Sequence, residues 1–383
     1  MAFGRGGGSV RVRVHETEPE LGTQLRTVEV SGRSFETPRR SLALTATGTC
    51  EALADLEPVC RGLVELYREL TREALRLIDG NADRQQEFAD VLFRRVNALR
   101  GGSDQAVLLA LSMQEKGYCP TGAEAEHLAD LAGAPFVQLT MVPRVLPRDL
   151  DSFLAYAKDF LAAYSGNGSP ALLGYLPNFA RRDIQKVLAL YLKKGIQNFV
   201  MDFNGNHAQS LYPNFLLIRR TLNHEVGEGW YMHGLNVGPG VFRRAQQACP
   251  ARDFLGLLLG LDTVGPKHIV RRMPPEVWAK LIQQGGAGNR VFHRGDYGYY
   301  EPRRLPAGAR SADRGRISLR EIIREPTAAM VRFYNAERHG IEAEEVRRQL
   351  GEGSLVPYVM GKALLREDLA QIRVRQSQTT LGG

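Results

Sequence analysis

A regular alternation of short apolar segments with amphipathic segments constrains the fold more than any other feature of the sequence. Such repeated β-α units predict a parallel sheet. With at least six units, we predict an α/β protein with a closed (β/α)8 TIM-like barrel, an N-terminal β-hairpin and helical insertions, rather than an open doubly wound sheet. No Gly-x-Gly-x-x-Gly opens a helix after a strand, which disfavours a dinucleotide-binding fold. The predicted strands are Ala106–Leu111, Phe136–Val142, Ala171–Tyr175, Asn198–Asp202 and Trp230–Leu235, followed by the apolar run Phe254–Leu261; the helices between them are Gly122–Ala132, Leu150–Tyr164, Asp183–Lys194, Asn214–Glu225 and Val241–Ala248.

The segments that flank these units predict further elements. Two alternating stretches joined by Ser31-Gly32 predict an N-terminal hairpin. Residues 51–100 have a helical period, with Leu63, Val64 and Tyr67 on one face of the first of two helices. The predicted domains are a β extension (1–40), a barrel (41–350) with an Arg/Tyr-rich insertion (285–315), and a C-terminal helix with a frayed polar tail (351–383).

Composition limits the class of protein. The chain has 383 residues, 43% hydrophobic and 24% charged, which is typical of a globular protein with a large core. No apolar run has the length of a membrane span, and the start lacks an apolar signal-peptide core, so we expect a cytoplasmic protein. The four cysteines show no Cys-x-x-Cys pairing, so we expect neither a metal site nor a disulfide framework.

The positive charge is concentrated in one segment. Between Lys267 and Arg320 there are 12 Lys/Arg and four Asp/Glu, an excess equal to the net charge of +8 of the whole chain. Tyr297, Tyr299 and Tyr300 lie among these arginines. Arginine beside aromatic rings suits single-stranded or flipped nucleotides, so the segment predicts a nucleic-acid contact. The alternative is a solvated Arg-rich loop.

Candidate catalytic residues follow from the barrel itself, whose active residues lie at the carboxyl ends of strands. Asp202 follows one predicted strand, His233 lies at the end of the next, and Asp262 follows an apolar run, with His268 just beyond. Asp104 stands between paired glycines and another apolar run. An aspartate at such a position is also a common turn residue or helix N-cap, so that alternative stays open.

Several motifs, in order along residues 25–350, resemble tRNA-guanine transglycosylases. The family's cysteine cluster for structural zinc is missing, which points to a divergent branch, including relatives that insert 7-deazaguanine into DNA. The motifs are Ser31-Gly-Arg-Ser-Phe-Glu-Thr-Pro38, Ala46-Thr-Gly-Thr49, Gly101-Gly-Ser-Asp104-Gln105, Gly174-Tyr-Leu-Pro177, Phe199-Val-Met-Asp202, Trp230-Tyr-Met-His-Gly-Leu-Asn-Val-Gly238, Gly260-Leu-Asp262-Thr-Val-Gly-Pro266, Asp296-Tyr-Gly-Tyr-Tyr-Glu-Pro302 and Tyr334-Asn-Ala-Glu-Arg-His-Gly340.

The resemblance implies an enzyme that replaces guanine in tRNA or DNA by a 7-deazaguanine, through a covalent aspartyl-glycosyl intermediate and without an organic cofactor. Asp262 is then the nucleophile and Asp104 the general acid/base, facing one another across a pocket as in retaining glycosidases. The implied base-binding residues are Asp202, His233, Gly234 and Leu235, and the implied phosphate contacts are Lys267, Arg271, Arg272, Arg294, Arg303, Arg304, Arg314 and Arg316. A homodimer or a heteromer is a further possibility.

Two other hypotheses remain open. One is a catalytically silent homologue that binds RNA or DNA, which the missing zinc motif favours. The other is an unrelated barrel hydrolase or lyase that acts on a phosphorylated small molecule with Asp202, His233 and His268.

Overall fold

The structure is a computed structural model that describes residues 8–44, 56–98, 105–164, 169–239, 247–269, 274, 276–277, 279, 289–306, 308–309, 315–324 and 327–380. An antiparallel sheet comes first, with β1 (Val10–Glu18), β2 (Thr23–Val30) and β3 (Arg33–Thr37). Ser31 and Gly32 both have positive φ angles, as a two-residue type I′ hairpin turn requires. The predicted N-terminal hairpin is therefore confirmed.

The predicted (β/α)8 TIM-like barrel is also confirmed. Its hydrogen-bonded order is β4-β14-β12-β11-β10-β8-β7-β6-β5, all parallel, with β9 beside β7. Only Ser41 separates β4 from β5, so the two act as the first strand of the barrel. The backbone N–H of Ser41 donates to the Val264 carbonyl of β14 over 3.0 Å, which joins the first strand to the last. The strands are β4 (Arg39–Arg40), β5 (Leu42–Ala43), β6 (Leu63–Leu70), β7 (Ala106–Lys116), β8 (Leu139–Met141), β9 (Arg144–Leu146), β10 (Ala171–Leu176), β11 (Phe199–Asp202), β12 (Met232–Leu235) and β14 (Thr263–Val264).

Helices cover the outside of the barrel and join its strands. A small antiparallel sheet, β13 (Ala248–Pro250), β15 (Val291–His293) and β16 (Gly298–Tyr300), follows β12 and β14. In the described part of the chain, no helix is both long enough and apolar enough to cross a membrane. The helices are α1 (Arg72–Ile78), α2 (Ala82–Asn97), α3 (Ala123–Ala132), α4 (Leu150–Ala163), α5 (Arg181–Lys193), α6 (Tyr212–Val226), α7 (Leu255–Leu258), α8 (Leu319–Arg324), α9 (Ala328–Gly351), α10 (Leu355–Met360) and α11 (Arg366–Thr380).

Four local predictions are wrong. Leu63–Leu70 is strand β6 and not a helix, because this segment pairs along its length with β7 in the barrel. The apolar run Phe254–Leu261 contains the short helix α7 and no strand. The two helices predicted over Ala328–Arg338 and Glu342–Leu350 are the single helix α9. Helix α11 continues to Thr380 through the stretch predicted to be frayed, where Tyr212 donates to Gln376 over 2.7 Å.

A buried ion pair fixes the N-terminal sheet against the amino-terminal end of the barrel. Arg26 of β2 is fully buried and lies 3.2 Å from both carboxylate oxygens of Asp262, the residue before β14. Arg26 also donates to the Trp230 carbonyl over 2.7 Å, and its guanidinium lies over the Trp230 ring. Thr37 and the backbone N–H of Met232 supply the other donors to Asp262. A buried charge is tolerated only next to its partner, so moving the N-terminal sheet would leave Arg26 and Asp262 buried without their opposite charges. The pair therefore holds the sheet against the barrel.

Removing Asp262 is expected to reduce stability. Asp262→Asn leaves Arg26 buried without its counter-charge, and breaking such a pair costs about 3–5 kcal/mol. Urea unfolding measures this loss. The double variant Arg26→Met/Asp262→Leu removes both charges and is expected to lose less stability than the single variants Arg26→Met and Asp262→Leu lose together; a strictly additive loss would contradict the ion-pair account.

Candidate active site

A buried carboxylate lies between two histidines inside the barrel. Glu65, the third residue of β6, is fully buried. One of its oxygens is 2.9 Å from His233 Nε2 on β12, and the other is hydrogen bonded to His268, which follows β14. The His268 ring stacks in parallel on Tyr67, with ring centroids 4.1 Å apart. Three strands thus converge on one acid–base cluster, which we call the Glu65 centre (Glu65, His233 and His268).

The electrostatics of this cluster keep Glu65 ionised. Burial alone would raise the pKa of Glu65, but the charge of His268 and the hydrogen bonds from both histidines lower it to about 2. His233 is fixed from its other side, because Nδ1 lies 2.8 Å from the Thr263 hydroxyl, which is hydrogen bonded to the Tyr231 hydroxyl. With Nδ1 accepting from Thr263, His233 donates through Nε2 to Glu65.

A close approach of backbone makes room for Glu65. A Cβ placed on Gly265 would lie 2.1 Å from Glu65 Oε2 and 3.0 Å from His233 Nε2. Any side chain at position 265 would therefore displace the carboxylate. The residue directly after β14 has to be glycine for the Glu65 centre to form.

A second polar cluster adjoins the Glu65 centre at the carboxyl end of β11. Asp202 accepts from Arg144 Nε over 2.7 Å, from the Tyr175 hydroxyl over 3.0 Å, and from the side chain of Asn236 over 3.3 Å. Asn236 in turn accepts from the backbone N–H of His268 over 3.0 Å. A continuous chain of hydrogen bonds therefore runs from Asp202 through His268 to Glu65.

The proposed nucleophile, Asp262, lies elsewhere. It was expected to follow a strand at the carboxyl end of the barrel, and this expectation is wrong: Asp262 precedes β14 and pairs with Arg26 at the amino-terminal end. Burial raises its pKa above the ordinary value, in spite of Arg26. The structure does not bring Asp262 together with Asp202. Asp104, the expected acid/base, lies outside the described residues.

The expected base-binding residues do lie at the carboxyl half of neighbouring strands. Asp202 ends β11, and His233, Gly234 and Leu235 are the last three residues of β12, in register with β11. All four are buried. The structure therefore brings Asp202, His233 and His268 to one place, and it adds Glu65 and Arg144 to them.

The expected nucleic-acid contacts are dispersed. Arg294 is 2.6 Å from the buried Glu342, and Arg304 and Arg316 pair with Glu301 and Glu57 at the surface. Arg303 and Lys267 are exposed, whereas Arg271, Arg272 and Arg314 lie outside the described residues.

The tyrosines expected to stack on nucleotides are in the protein interior. Tyr297, Tyr299 and Tyr300 are all buried, and Tyr297 donates to Glu342 over 2.7 Å. The hydroxyls of Tyr299 and Tyr300 donate to Asp253 and Asp296, because a buried phenol needs a hydrogen-bond partner. The prediction of an exposed Tyr/Arg surface is therefore wrong for these three residues.

Sequence reasoning missed Glu65, the residue on which the site depends. The segment that contains it was interpreted as a helix, and Glu65 was not considered as a candidate. A signal was present: Gly62 precedes the segment and Thr71 follows it, and Thr71 caps helix α1 by accepting from Ala74. An apolar segment that ends directly before a helix N-cap is typical of a barrel strand.

Comparison with known proteins adds no family: no family model matches the sequence, and no curated protein is similar to it.

The depressed pKa of Glu65 has a consequence for stability. Ionised Glu65 is expected to stabilise the fold above its ordinary pKa of 4.5, and this contribution is lost as the pH falls to about 2. It amounts to about 3 kcal/mol. Urea unfolding at a series of pH values should therefore show a steeper acid loss for the wild type than for Glu65→Gln. The exposed variant Glu352→Gln is the matched control; if its acid profile and that of Glu65→Gln are the same, the low pKa is refuted.

Proposed function

We propose that the protein is an enzyme, a hydrolase or lyase, that acts by general acid–base catalysis at the carboxyl-terminal mouth of the barrel. The hydrogen bond between His268 and Glu65 carries this proposal. An imidazole oriented by a buried carboxylate is the arrangement that general-base catalysis requires. It lies where barrel enzymes have their active sites.

His268 is the proton acceptor in this proposal. Its Nε2 is bound to Glu65, and its Nδ1 has no hydrogen-bond partner within the described part of the chain. Nδ1 therefore accepts the substrate proton, or that of an attacking water molecule, while Nε2 keeps its own proton. Glu65 stabilises the imidazolium that forms, since it is already ionised.

His233 acts as a positioning residue. Both of its ring nitrogens are engaged, and it is completely buried. Its bond to the second oxygen of Glu65 fixes the plane of the carboxylate, and Thr263 fixes His233 in turn. The stack on Tyr67 and the bond to Asn236 orient His268 from the other sides.

Loss of the general base is expected to abolish most of the activity. With a substrate found by screening phosphorylated small molecules, His268→Gln should lower kcat by about 10²–10⁴-fold. The control is His224→Gln, since the His224 side chain is 84% exposed on α6 and remote from the site. A screen without turnover, or an active His268→Gln variant, would refute the proposal.

Base exchange in nucleic acid is the second candidate. The flat Tyr67–His268 stack favours it, because a nucleobase is recognised in part by stacking on aromatic rings. Asp262 is buried in its pair with Arg26, so Glu65 takes the role of the nucleophile. A Glu65 oxygen, released from its hydrogen bond to His268, attacks C1′, the bond from C1′ to the base nitrogen breaks, and His268 protonates the departing base. The incoming base then attacks C1′ and displaces Glu65, and its proton passes to His268.

Radiolabelled guanine separates the two candidates. Base exchange predicts that label enters tRNA or DNA, that Glu65→Gln abolishes incorporation, and that a glycosyl adduct on Glu65 is found by mass spectrometry. If neither nucleic acid takes up label, base exchange is refuted. Nucleic-acid binding without exchange would instead favour a silent homologue.

A further inference from the structure

A cavity of about 380 Å³ opens beside the Glu65 centre. It lies between the barrel rim, helix α9 and the small sheet that follows the barrel. Ser41 belongs to both sites, because it lines this cavity and its hydroxyl is 3.4 Å from Glu65 Oε2. Lys267, the neighbour of His268, also lines it. A volume of this size fits a small molecule.

The lining of this cavity is strongly basic. Four cationic side chains, those of Arg40, Lys267, Arg290 and Arg332, line it together with a single carboxylate, that of Asp253, which pairs with Arg40 over 3.4 Å. They come from β4, from the segment after β14, from the residue before β15 and from α9, so the fold and not a local run of sequence brings them together. Converging cations of this kind select a dianion such as a phosphate.

Two buried acceptors face the same cavity. The Tyr299 hydroxyl donates to Asp253 Oδ2 over 2.7 Å and therefore accepts from His339 Nε2, 3.0 Å away. His339 then carries its proton on Nε2, which leaves Nδ1 as an acceptor. Within the described residues, neither His339 Nδ1 nor Asp253 Oδ1 has a hydrogen-bond partner, although both residues line the cavity and are at least 96% buried.

Buried acceptors without donors are costly, so each points to a group that the cavity receives. A ligand that satisfies the whole lining carries an anion for the arginines and hydroxyl groups for Asp253 and His339. We propose that this cavity, which we call the Arg332 pocket (Arg40, Asp253, Lys267, Arg332 and His339), binds a phosphorylated sugar.

The Arg332 pocket identifies a substrate class for the proposed function. Only one part of this inference rests on the proposed function, namely that the bound sugar phosphate is the substrate. A sugar held there lies next to the segment that carries Lys267 and His268. The phosphate provides binding energy away from the reacting atoms, and the hydroxyl groups provide the protons on which a general base acts.

Calorimetric titration with ribose 5-phosphate, inorganic phosphate and ribose tests the pocket. Ribose 5-phosphate should bind most tightly and ribose not measurably. Arg332→Gln should weaken both phosphate ligands about tenfold, as expected for one charge-assisted hydrogen bond. Arg332 is exposed on α9, so the fold tolerates the change. Arg320→Gln, at an exposed arginine of α8 outside the pocket, is the matched control and should bind like the wild type.

The acceptors are tested by Asp253→Asn, which keeps the shape of the side chain. This variant should lose the preference for ribose 5-phosphate over phosphate. If ribose 5-phosphate does not saturate the protein, or if Arg332→Gln and Arg320→Gln bind it equally, the pocket is refuted. His268→Gln should still bind ribose 5-phosphate through the Arg332 pocket, with at most about a tenfold loss for the one hydrogen bond that His268 makes to the sugar. Binding of ribose 5-phosphate to the wild type without turnover of any sugar phosphate would refute the proposed function and leave the pocket standing.

Discussion

The buried carboxylate of Glu65 is the constraint on which the candidate site depends. A carboxylate without solvent is tolerated only when hydrogen bonds and opposite charge compensate it. Here both oxygens are engaged, one by each histidine, and the low pKa of Glu65 follows from them. His233 comes from β12 and His268 from the segment after β14. The hydrogen bonds of Glu65 to these histidines therefore hold three strands of the barrel together and orient His268, the proposed general base.

The buried charged and polar groups at the two ends of the barrel differ in how completely they are hydrogen bonded. At the amino-terminal end, Arg26 and Asp262 form a closed pair that attaches the N-terminal sheet, and no hydrogen-bonding capacity of the carboxylate is left over. At the carboxyl end, His268 keeps one ring nitrogen for a ligand. In the adjoining Arg332 pocket, two acceptor atoms likewise have no hydrogen-bond donor within the described part of the chain. The carboxylate at the amino-terminal end is therefore fully hydrogen bonded, although Arg26 Nε has no hydrogen-bond partner among the described residues, whereas Asp253 and His339 at the carboxyl end each keep an acceptor without a donor.

Much of the fold was predictable from the sequence, because the periodicity of apolar residues reports strands and helices directly. Helices α3, α4 and α5 and strands β10 and β11 lie within a few residues of their predicted bounds. The site was less predictable. Glu65 was hidden because a buried polar residue breaks the alternation that identifies a strand. Asp262 was misplaced because Phe254–Leu261 is as apolar as a strand but forms α7 and its flanks, so the strand begins one residue after Asp262 and not before it. Pairings over long distances, such as Arg26 with Asp262, leave no local pattern.

A crystal structure of the protein with ribose 5-phosphate bound tests the central claim most directly, namely that the active centre is built on Glu65 at the carboxyl-terminal mouth. The account predicts density for the phosphate against Arg332, a sugar hydroxyl at hydrogen-bonding distance from His268 Nδ1, and an intact Arg26–Asp262 pair. A ligand bound against Asp262 with Arg26 displaced, or a His268 ring turned away from Glu65, would contradict it.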